Sequence, residues 1–177
     1  MVYILVAEGF EEIEVIAPTN ILRRAKIDVT TVGIGSKTVL GSHSIPLVTD
    51  ITDAEFDFSD ALMLVLPGGN TGVENLNKST VVHDAIDYCM QKGLFIAAIC
   101  AAPVILAKKG LLKGKTVTAY PSVIKELEGA IICDEPVVRD GNVITGKSAG
   151  TAPEFAFELI KVLSTLEEAD QVRSDLG

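Results

Sequence analysis

Apolar residues cluster in short runs along the chain, and segments with an apolar residue every three to four positions separate these runs. A strand that is buried on both faces needs apolar side chains at nearly every position, so such runs predict β-strands. The predicted strands cover residues 2–7, 26–34, 61–66, 94–99 and the short segment 115–119. The helical spacing predicts α-helices over residues 13–25, 80–93, 102–110 and 151–166.

Strands and helices alternate, and this order is typical of an α/β protein with a parallel sheet. We therefore predict a three-layer sandwich of the flavodoxin-like kind, in which helices cover both faces of a mostly parallel sheet. Residues 136–146 contain two β-rich runs around Asp140-Gly141, and this pattern predicts a small β-hairpin. The 177 residues contain no repeat and no linker, so we predict a single domain spanning residues 1–177.

A proline interrupts the first helical segment. We expect the helix to begin near Pro18 or to kink there, which leaves residues 10–17 as an irregular turn. The ligand crevice of an open α/β sheet lies outside the carboxyl ends of its strands. Residues 8–14, 67–72 and 100–103 form the loops that leave such ends, so we expect any site to be built from them.

Composition narrows the classes of function. The formal net charge is −9, and binding to nucleic acid or to an anionic membrane surface normally needs a basic face, so both are disfavoured. The first residues have no basic segment before a short apolar run, which argues against a signal peptide or a membrane span. The three cysteines form no CxxC pair and no disulfide framework. We expect a cytoplasmic protein without a metal site.

Cys100 is the strongest candidate for a nucleophile. It directly follows a buried strand and precedes a helix, so the turn points its side chain toward the crevice. We expect the helix N-terminus to lower the pKa of the thiol. The alternative is a buried structural cysteine, which is the interpretation we favour for Cys89 and Cys133.

Two further loops carry candidate site residues. Gly68 and Gly69 end a buried strand, and a Gly-Gly turn lets backbone N–H groups approach an anion closely. Glu14 lies between two apolar residues and could point inward toward the thiol, where burial would raise its pKa. We expect Glu11 and Glu12, by contrast, to lie in a solvated acidic turn.

The remaining polar motifs argue against other chemistries. Neither of the two histidines, His43 and His83, follows Cys100 in the chain, so a Cys…His dyad in that order is impossible. The sequence also lacks a Walker A motif and a GxGxxG motif, so no nucleotide cofactor is predicted.

Three motifs together, EGFEEIE, LPGGN and AAICAAP, resemble those of the ThiJ/PfpI superfamily. Within it, the chain is most similar to the branch that contains the Parkinson-disease-associated protein (DJ-one) and its bacterial relatives, and the likeness runs almost from end to end. The resemblance implies that Cys100 is an oxidation-prone nucleophile and that Glu14 hydrogen-bonds its sulfur. It also implies that the N–H groups of Gly68, Gly69 and Ala101 line an anion pocket.

The resemblance further implies a homodimer packed around the first helical segment, with Arg24 near the pocket of the dimer. Two positions depart from the family pattern. A T-x-H-P motif is common in relatives, and here it is replaced by Thr118-Ala119-Tyr120-Pro121. Relatives often line the pocket with a second arginine from the partner subunit, and here that position is His43. Tyr120 and His43 are therefore candidate pocket residues.

The function that the resemblance implies is a cofactor-free, cysteine-dependent enzyme of the glyoxalase III or protein deglycase kind. Its substrates would be small 2-oxoaldehydes such as methylglyoxal, or their early adducts on proteins. An alternative from another class is a sensor of oxidative stress or a redox-regulated chaperone that uses oxidation of Cys100. A third interpretation is a fold relic with an inert thiol.

Overall fold

Seven strands form one sheet in the computed structural model, which describes residues 1–177. In spatial order the strands are β10 (Val137–Asp140), β11 (Val143–Gly146), β7 (Phe95–Ile99), β6 (Met63–Leu66), β1 (Val2–Val6), β2 (Val29–Gly33) and β5 (Ile51–Thr52). Every neighbouring pair is parallel except β10 and β11, which form an antiparallel hairpin around Gly141. The predicted small hairpin is therefore confirmed.

Six helices cover the two faces of the sheet. The helices are α1 (Glu12–Arg24), α2 (Asn70–Lys78), α3 (Thr80–Lys92), α4 (Pro103–Lys108), α5 (Ala152–Leu163) and α6 (Leu166–Leu176). One apolar core lies between the sheet and α2, α3 and α4, and a second lies between the sheet and α1, α5 and α6. The predicted three-layer α/β architecture is confirmed. No helix has both the length and the apolar composition needed to cross a membrane.

The prediction of an irregular turn before Pro18 is wrong, because α1 is continuous from Glu12 to Arg24 and contains Pro18 in its interior. A proline there removes one backbone hydrogen bond. The side chains of Val15, Ile21 and Leu22 are buried in the core between the sheet and α5. Burial of this apolar face outweighs the single missing bond, since tertiary packing supplies most of the stability of helices in proteins.

The predicted strand over residues 115–119 is only partly correct. β8 covers Thr116–Val117 and pairs with β9 (Ile131–Ile132) in a separate two-stranded sheet, outside the main one. The ladder ends at Val117, whose oxygen accepts from the Cys133 N–H at 2.9 Å, and the Thr118 N–H donates to the Thr145 hydroxyl at 2.9 Å.

Besides the short strands β5 and β9, three elements were absent from the sequence prediction. The first is a hairpin of β3 (Thr38–Leu40) and β4 (Pro46–Val48), and the others are the helices α2 and α6. The hairpin strands are largely exposed, and both helices are mostly polar, so none of them carries a strong apolar pattern. The hairpin matters for the site, since its loop carries His43.

Candidate active site

Cys100 lies at a sharp turn directly after β7. Its backbone has φ +64°, a left-handed conformation that non-glycine residues rarely adopt. Two backbone hydrogen bonds hold it there, one from the Cys100 N–H to the Gly146 oxygen and one from the Tyr120 N–H to the Cys100 oxygen, both 2.9 Å. Strained backbone of this kind persists only where surrounding contacts enforce it, and it is concentrated at functional sites.

Glu14 lies in the first turn of α1 and is completely buried. Its Oε2 accepts a hydrogen bond from the Gly68 N–H at 2.7 Å, whereas its Oε1 has no partner within the chain. The carboxyl group lies within hydrogen-bonding reach of the Cys100 thiol. A buried oxygen without a partner is costly, so it is a candidate for a proton or a substrate contact.

The absence of a side chain at Gly68 lets the carboxyl and the thiol approach each other. A Cβ at this position would lie 2.5 Å from Glu14 Oε2 and 2.7 Å from Cys100 Cβ, both far inside van der Waals contact. The Gly68 N–H donates to Glu14, so its place in an anion pocket, implied by the resemblance, is corrected. It holds the catalytic candidate Glu14 instead.

Two other backbone groups face the sulfur. The N–H groups of Gly69 and Ala101 lie close enough to the Cys100 sulfur to act against the rise in its pKa. Gly69 has φ +89°, and a Cβ there would lie 2.7 Å from the Glu11 nitrogen, so the loop requires glycine. Two converging N–H donors beside a nucleophile have the arrangement of an oxyanion hole.

The expected low pKa of Cys100 is wrong. Burial raises the pKa of the thiol to about 12, and the Glu14 carboxylate adds to the rise, while the N–H groups of Ala101 and Gly69 act in the opposite direction. Helix α4 has only six residues, and its N-terminus does not overcome burial. Burial also raises the pKa of Glu14 to about 7. Between about pH 7 and about pH 12, Cys100 and Glu14 therefore hold one proton between them, as coupled titrating groups do.

Glu12 is not part of a solvated turn, contrary to expectation, because only 4% of it is exposed. Its carboxylate accepts hydrogen bonds from the His43 N–H at 2.7 Å and the Ser42 hydroxyl at 3.2 Å, and its Oε2 lies 2.9 Å from His43 Nδ1. Although burial acts against it, these bonds lower the pKa of Glu12 to about 2. No sequence pattern indicated this contact, which joins residues about thirty positions apart.

The candidate pocket residues lie at different distances from the thiol. Tyr120 is adjacent through its backbone, and its side chain is exposed. His43 is exposed and contacts Glu12. Arg24 lies ten residues beyond Glu14 on α1, about 15 Å along the helix, and its guanidinium donates to the Asn20 side chain. Arg24 therefore does not reach Cys100 within one chain.

One group of side chains has the donor set of a metal site. Ligand atoms of Glu11, Glu12 and His43 lie within 4.8 Å of one another. His43 Nδ1 already contacts Glu12, so a metal ion would have to displace that hydrogen bond. This group lies outside the Cys100 turn.

Comparisons with known proteins show the family to which the chain belongs. A model of the DJ-1/PfpI family matches residues 1–162. The chain is 38% identical to Protein dj-1beta of Drosophila melanogaster, covering 98% of this chain and 94% of that protein, and 36% identical to the Parkinson disease protein 7 homolog of Danio rerio, with the same coverage. The crystal structure of Drosophila DJ-1beta superposes with a TM-score of 0.95 at 36% identity, covering 99% of this chain and 96% of that one. Oxidized DJ-1 of Toxoplasma gondii gives a TM-score of 0.95 at 28% identity, with the same coverage.

Proposed function

The chain belongs to the DJ-1/PfpI family, and from its site we propose that it is a cofactor-independent, cysteine-dependent enzyme of the glyoxalase III or deglycase kind. Its substrates are 2-oxoaldehydes such as methylglyoxal, or their early adducts on proteins. One observation supports this most directly. The Cys100 thiol contacts a buried carboxyl group, Glu14, whose Oε1 has no other partner.

The first step joins the thiol to the aldehyde. Glu14 accepts the thiol proton, and the thiolate attacks the aldehyde carbon to form a C–S bond. The carbonyl oxygen becomes an alkoxide, which the N–H groups of Gly69 and Ala101 stabilise. Glu14 then returns its proton to this alkoxide, so the product is a neutral hemithioacetal and Glu14 is again a carboxylate. A pKa of about 7 suits a group that both takes and gives a proton near neutral pH.

The second step moves a proton between adjacent carbons. The Glu14 carboxylate takes the proton from the carbon bonded to sulfur, which gives an enediolate, and the hydroxyl proton on that carbon passes to the former ketone oxygen. Glu14 then delivers its proton to the neighbouring carbon, and the C=O bond that forms beside sulfur makes a thioester of a 2-hydroxy acid on Cys100. Hydrolysis of the thioester releases the hydroxy acid and regenerates the thiol. The net reaction adds one water to the 2-oxoaldehyde, so it requires no external oxidant or reductant.

Turnover of methylglyoxal by the wild type, Cys100→Ala and Glu14→Gln tests this proposal. Both variants should lose activity by at least a hundredfold, because a nucleophile and its proton shuttle act as a unit. Cys89→Ala is the matched control, since Cys89 is completely buried away from the site, and it should retain activity if it folds. Wild-type activity in Cys100→Ala, after contaminating glyoxalases are removed, would refute the enzymatic proposal.

A sensor or redox-regulated chaperone is the second candidate function. The supporting observation is that the Glu14 carboxyl group, which is protonated below its pKa of about 7, and the N–H groups of Gly69 and Ala101 surround the sulfur of the partly buried Cys100. These donors suit the oxygens that oxidation to a sulfinate would add to Cys100. A sensor need not convert methylglyoxal, so turnover distinguishes the two functions.

A homodimer packed around α1 is part of the proposal. Ile13, Ile16 and Ile45 are exposed around an open apolar cavity of about 660 Å³ that is bounded by α1, α5 and α6. Monomeric proteins rarely leave contiguous apolar surface of this kind uncovered, and a second copy would cover it. The resemblance places Arg24 near the pocket of such a dimer, and Arg24 lies on the same helix, α1. The reduced thiol that catalysis needs fits the cytoplasm, where thiols are kept reduced.

A further inference from the structure

Four polar side chains from two distant segments meet at the first residues of α1. Glu11 and Glu12 lie at the start of the helix, and Ser42 and His43 lie in the loop between β3 and β4. We call these four residues the Glu–His cluster. One ligand atom from each of the two glutamates and from the histidine lies within 4.8 Å of the other two. The expectation of no metal site rested on local motifs, whereas His43 and Glu12 are 31 positions apart.

The donor atoms of the Glu–His cluster are spaced like ligands around one ion. His43 Nδ1 lies 2.9 Å from Glu12 Oε2 and 3.7 Å from Glu11 Oε2. The Ser42 hydroxyl oxygen lies 3.0 Å from His43 Nδ1, 3.2 Å from Glu12 Oε2 and 3.4 Å from Glu11 Oε2. Ligand atoms about 2.1 Å from a zinc ion are about 3.0 Å apart at a right angle and about 3.4 Å apart at the tetrahedral angle. The observed separations bracket both values, so an ion requires little rearrangement of these donors.

The charge of the Glu–His cluster favours a divalent cation. Its two carboxylates carry two negative charges, and neither forms an ion pair with a lysine or an arginine. Glu12 is almost completely buried, and a buried carboxylate without a cation beside it is costly. The positive end of α1 acts against a cation, but it amounts to only about half a unit charge. The two carboxylates therefore outweigh it, and a divalent ion would neutralise them.

The loop between β3 and β4 holds the Glu12 carboxylate in a fixed position. The His43 N–H donates to Glu12 Oε1 at 2.7 Å, which leaves Oε2 beside the imidazole and the Ser42 hydroxyl. Ligating carboxylates in metal sites are usually held by a hydrogen bond of this kind. A Cβ at Gly41 would lie 2.6 Å from Glu12 Cγ and closer still to the carboxyl group. The loop therefore has room for this side chain only because residue 41 is glycine.

From this arrangement we propose that Glu11, Glu12 and His43 form a binding site for Zn²⁺, with the Ser42 hydroxyl or a water molecule as the fourth ligand. Zinc accepts nitrogen and oxygen ligands together, whereas Mg²⁺ and Ca²⁺ prefer sites made of oxygen alone. The ion replaces the hydrogen bond between His43 Nδ1 and Glu12, and the imidazole ring keeps its other proton on Nε2. The bound ion ties the hairpin loop to the start of α1.

The proposed zinc site is separate from the catalytic candidates, since it includes neither Cys100 nor Glu14. It also depends on the residue at position 43. The family resemblance indicates that relatives often have an arginine there. An arginine could pair with Glu12, but its guanidinium stays protonated and cannot ligate a metal ion. Exchange of His43 for arginine therefore separates ligation from simple charge pairing.

Calorimetric titration of the full chain with Zn²⁺ tests the site. The Cys100→Ala background is used so that the thiol beside Glu14 cannot bind the ion, and one Zn²⁺ per chain is expected. The Co²⁺-loaded protein should show ligand-field absorption without a thiolate-to-cobalt charge-transfer band, because no ligand is a sulfur atom. A thiolate band, or one ion per two chains, would assign the ion to a different site and overturn the proposal.

Substitutions in the same background identify the ligands. His43→Arg and Glu11→Gln should each weaken Zn²⁺ binding by at least about tenfold, the lower bound for loss of even an outer partner of a metal ligand. His83→Arg is the matched control, since it makes the same exchange at the other histidine, on α3, and should keep the original affinity. Glu11→Gln changes a partly exposed side chain and keeps the test decisive if His43→Arg does not fold. Affinity equal to that of His83→Arg in either variant would overturn the proposal.

Discussion

Replacing Glu14 by glutamine should change how the stability of the protein depends on pH. The pKa of Glu14 is raised from the ordinary 4.5 to about 7, chiefly by burial. Between these values the folded state keeps a proton that the unfolded state has lost. Stability therefore falls as pH rises through this window, because the unfolded chain binds fewer protons than the folded one. Below pH 4.5, Glu14 is protonated in both the folded and the unfolded state, so it no longer lowers the stability.

The size of the effect follows from the two pKa values. Each pH unit between 4.5 and about 7 lowers the free energy of unfolding by about 1.4 kcal/mol, so the total is about 3 kcal/mol. Glutamine has nearly the same shape and remains neutral, and its amide oxygen can still accept the Gly68 N–H. Glu14→Gln should therefore match the wild type near pH 4.5 and exceed it by about 3 kcal/mol at pH 8.

Urea denaturation of both proteins between pH 4.5 and pH 8 measures this difference. The protein concentration must be held constant, because association would add to the apparent stability. Glu8→Gln is the control, since it removes one exposed carboxylate from the turn that precedes α1 and should keep the wild-type pH dependence. Parallel pH curves for the wild type and Glu14→Gln would refute the assignment of a neutral, buried carboxyl at this position.

Three further predictions follow from the same structure. Glu12→Gln should destabilise the protein by about 1.5–3 kcal/mol at pH 7. The loss of stability should shrink as pH falls from 4.5 toward 2, where the pKa of Glu12 lies. Urea denaturation that shows an equal loss at pH 7 and at the acidic end of this range would contradict the prediction. Although burial raises the pKa of Cys100, the Glu14 carboxylate beside it can take the thiol proton, so mild peroxide should oxidise Cys100 before Cys133 and the completely buried Cys89; peptide mass mapping that finds either of these modified first would identify a different reactive thiol. Sedimentation of the wild type should give twice 18.7 kDa and Ile16→Glu should give a monomer, whereas a wild-type mass of 18.7 kDa at micromolar concentration would exclude the dimer.

The sequence by itself determined the layers of the fold and the location of the site. Apolar runs at 2–7, 61–66 and 94–99 become the neighbouring strands β1, β6 and β7, because only strands buried on both faces need apolar residues at every position. Neighbouring parallel strands have their carboxyl ends at the same edge of the sheet. Cys100 and Glu14 could therefore be paired from their positions in the chain, before any coordinates.

The tertiary structure decided what local pattern does not encode. The helix through Pro18 forms because its apolar face is buried against the sheet and α5. Glu12 is buried because a hairpin brings His43 to it. The tertiary structure also decided whether the pKa of the Cys100 thiol is raised or lowered. A helix N-terminus can be located from the sequence, but burial and the neighbouring carboxylate depend on how distant segments pack, and these two effects dominate the charge of the thiol.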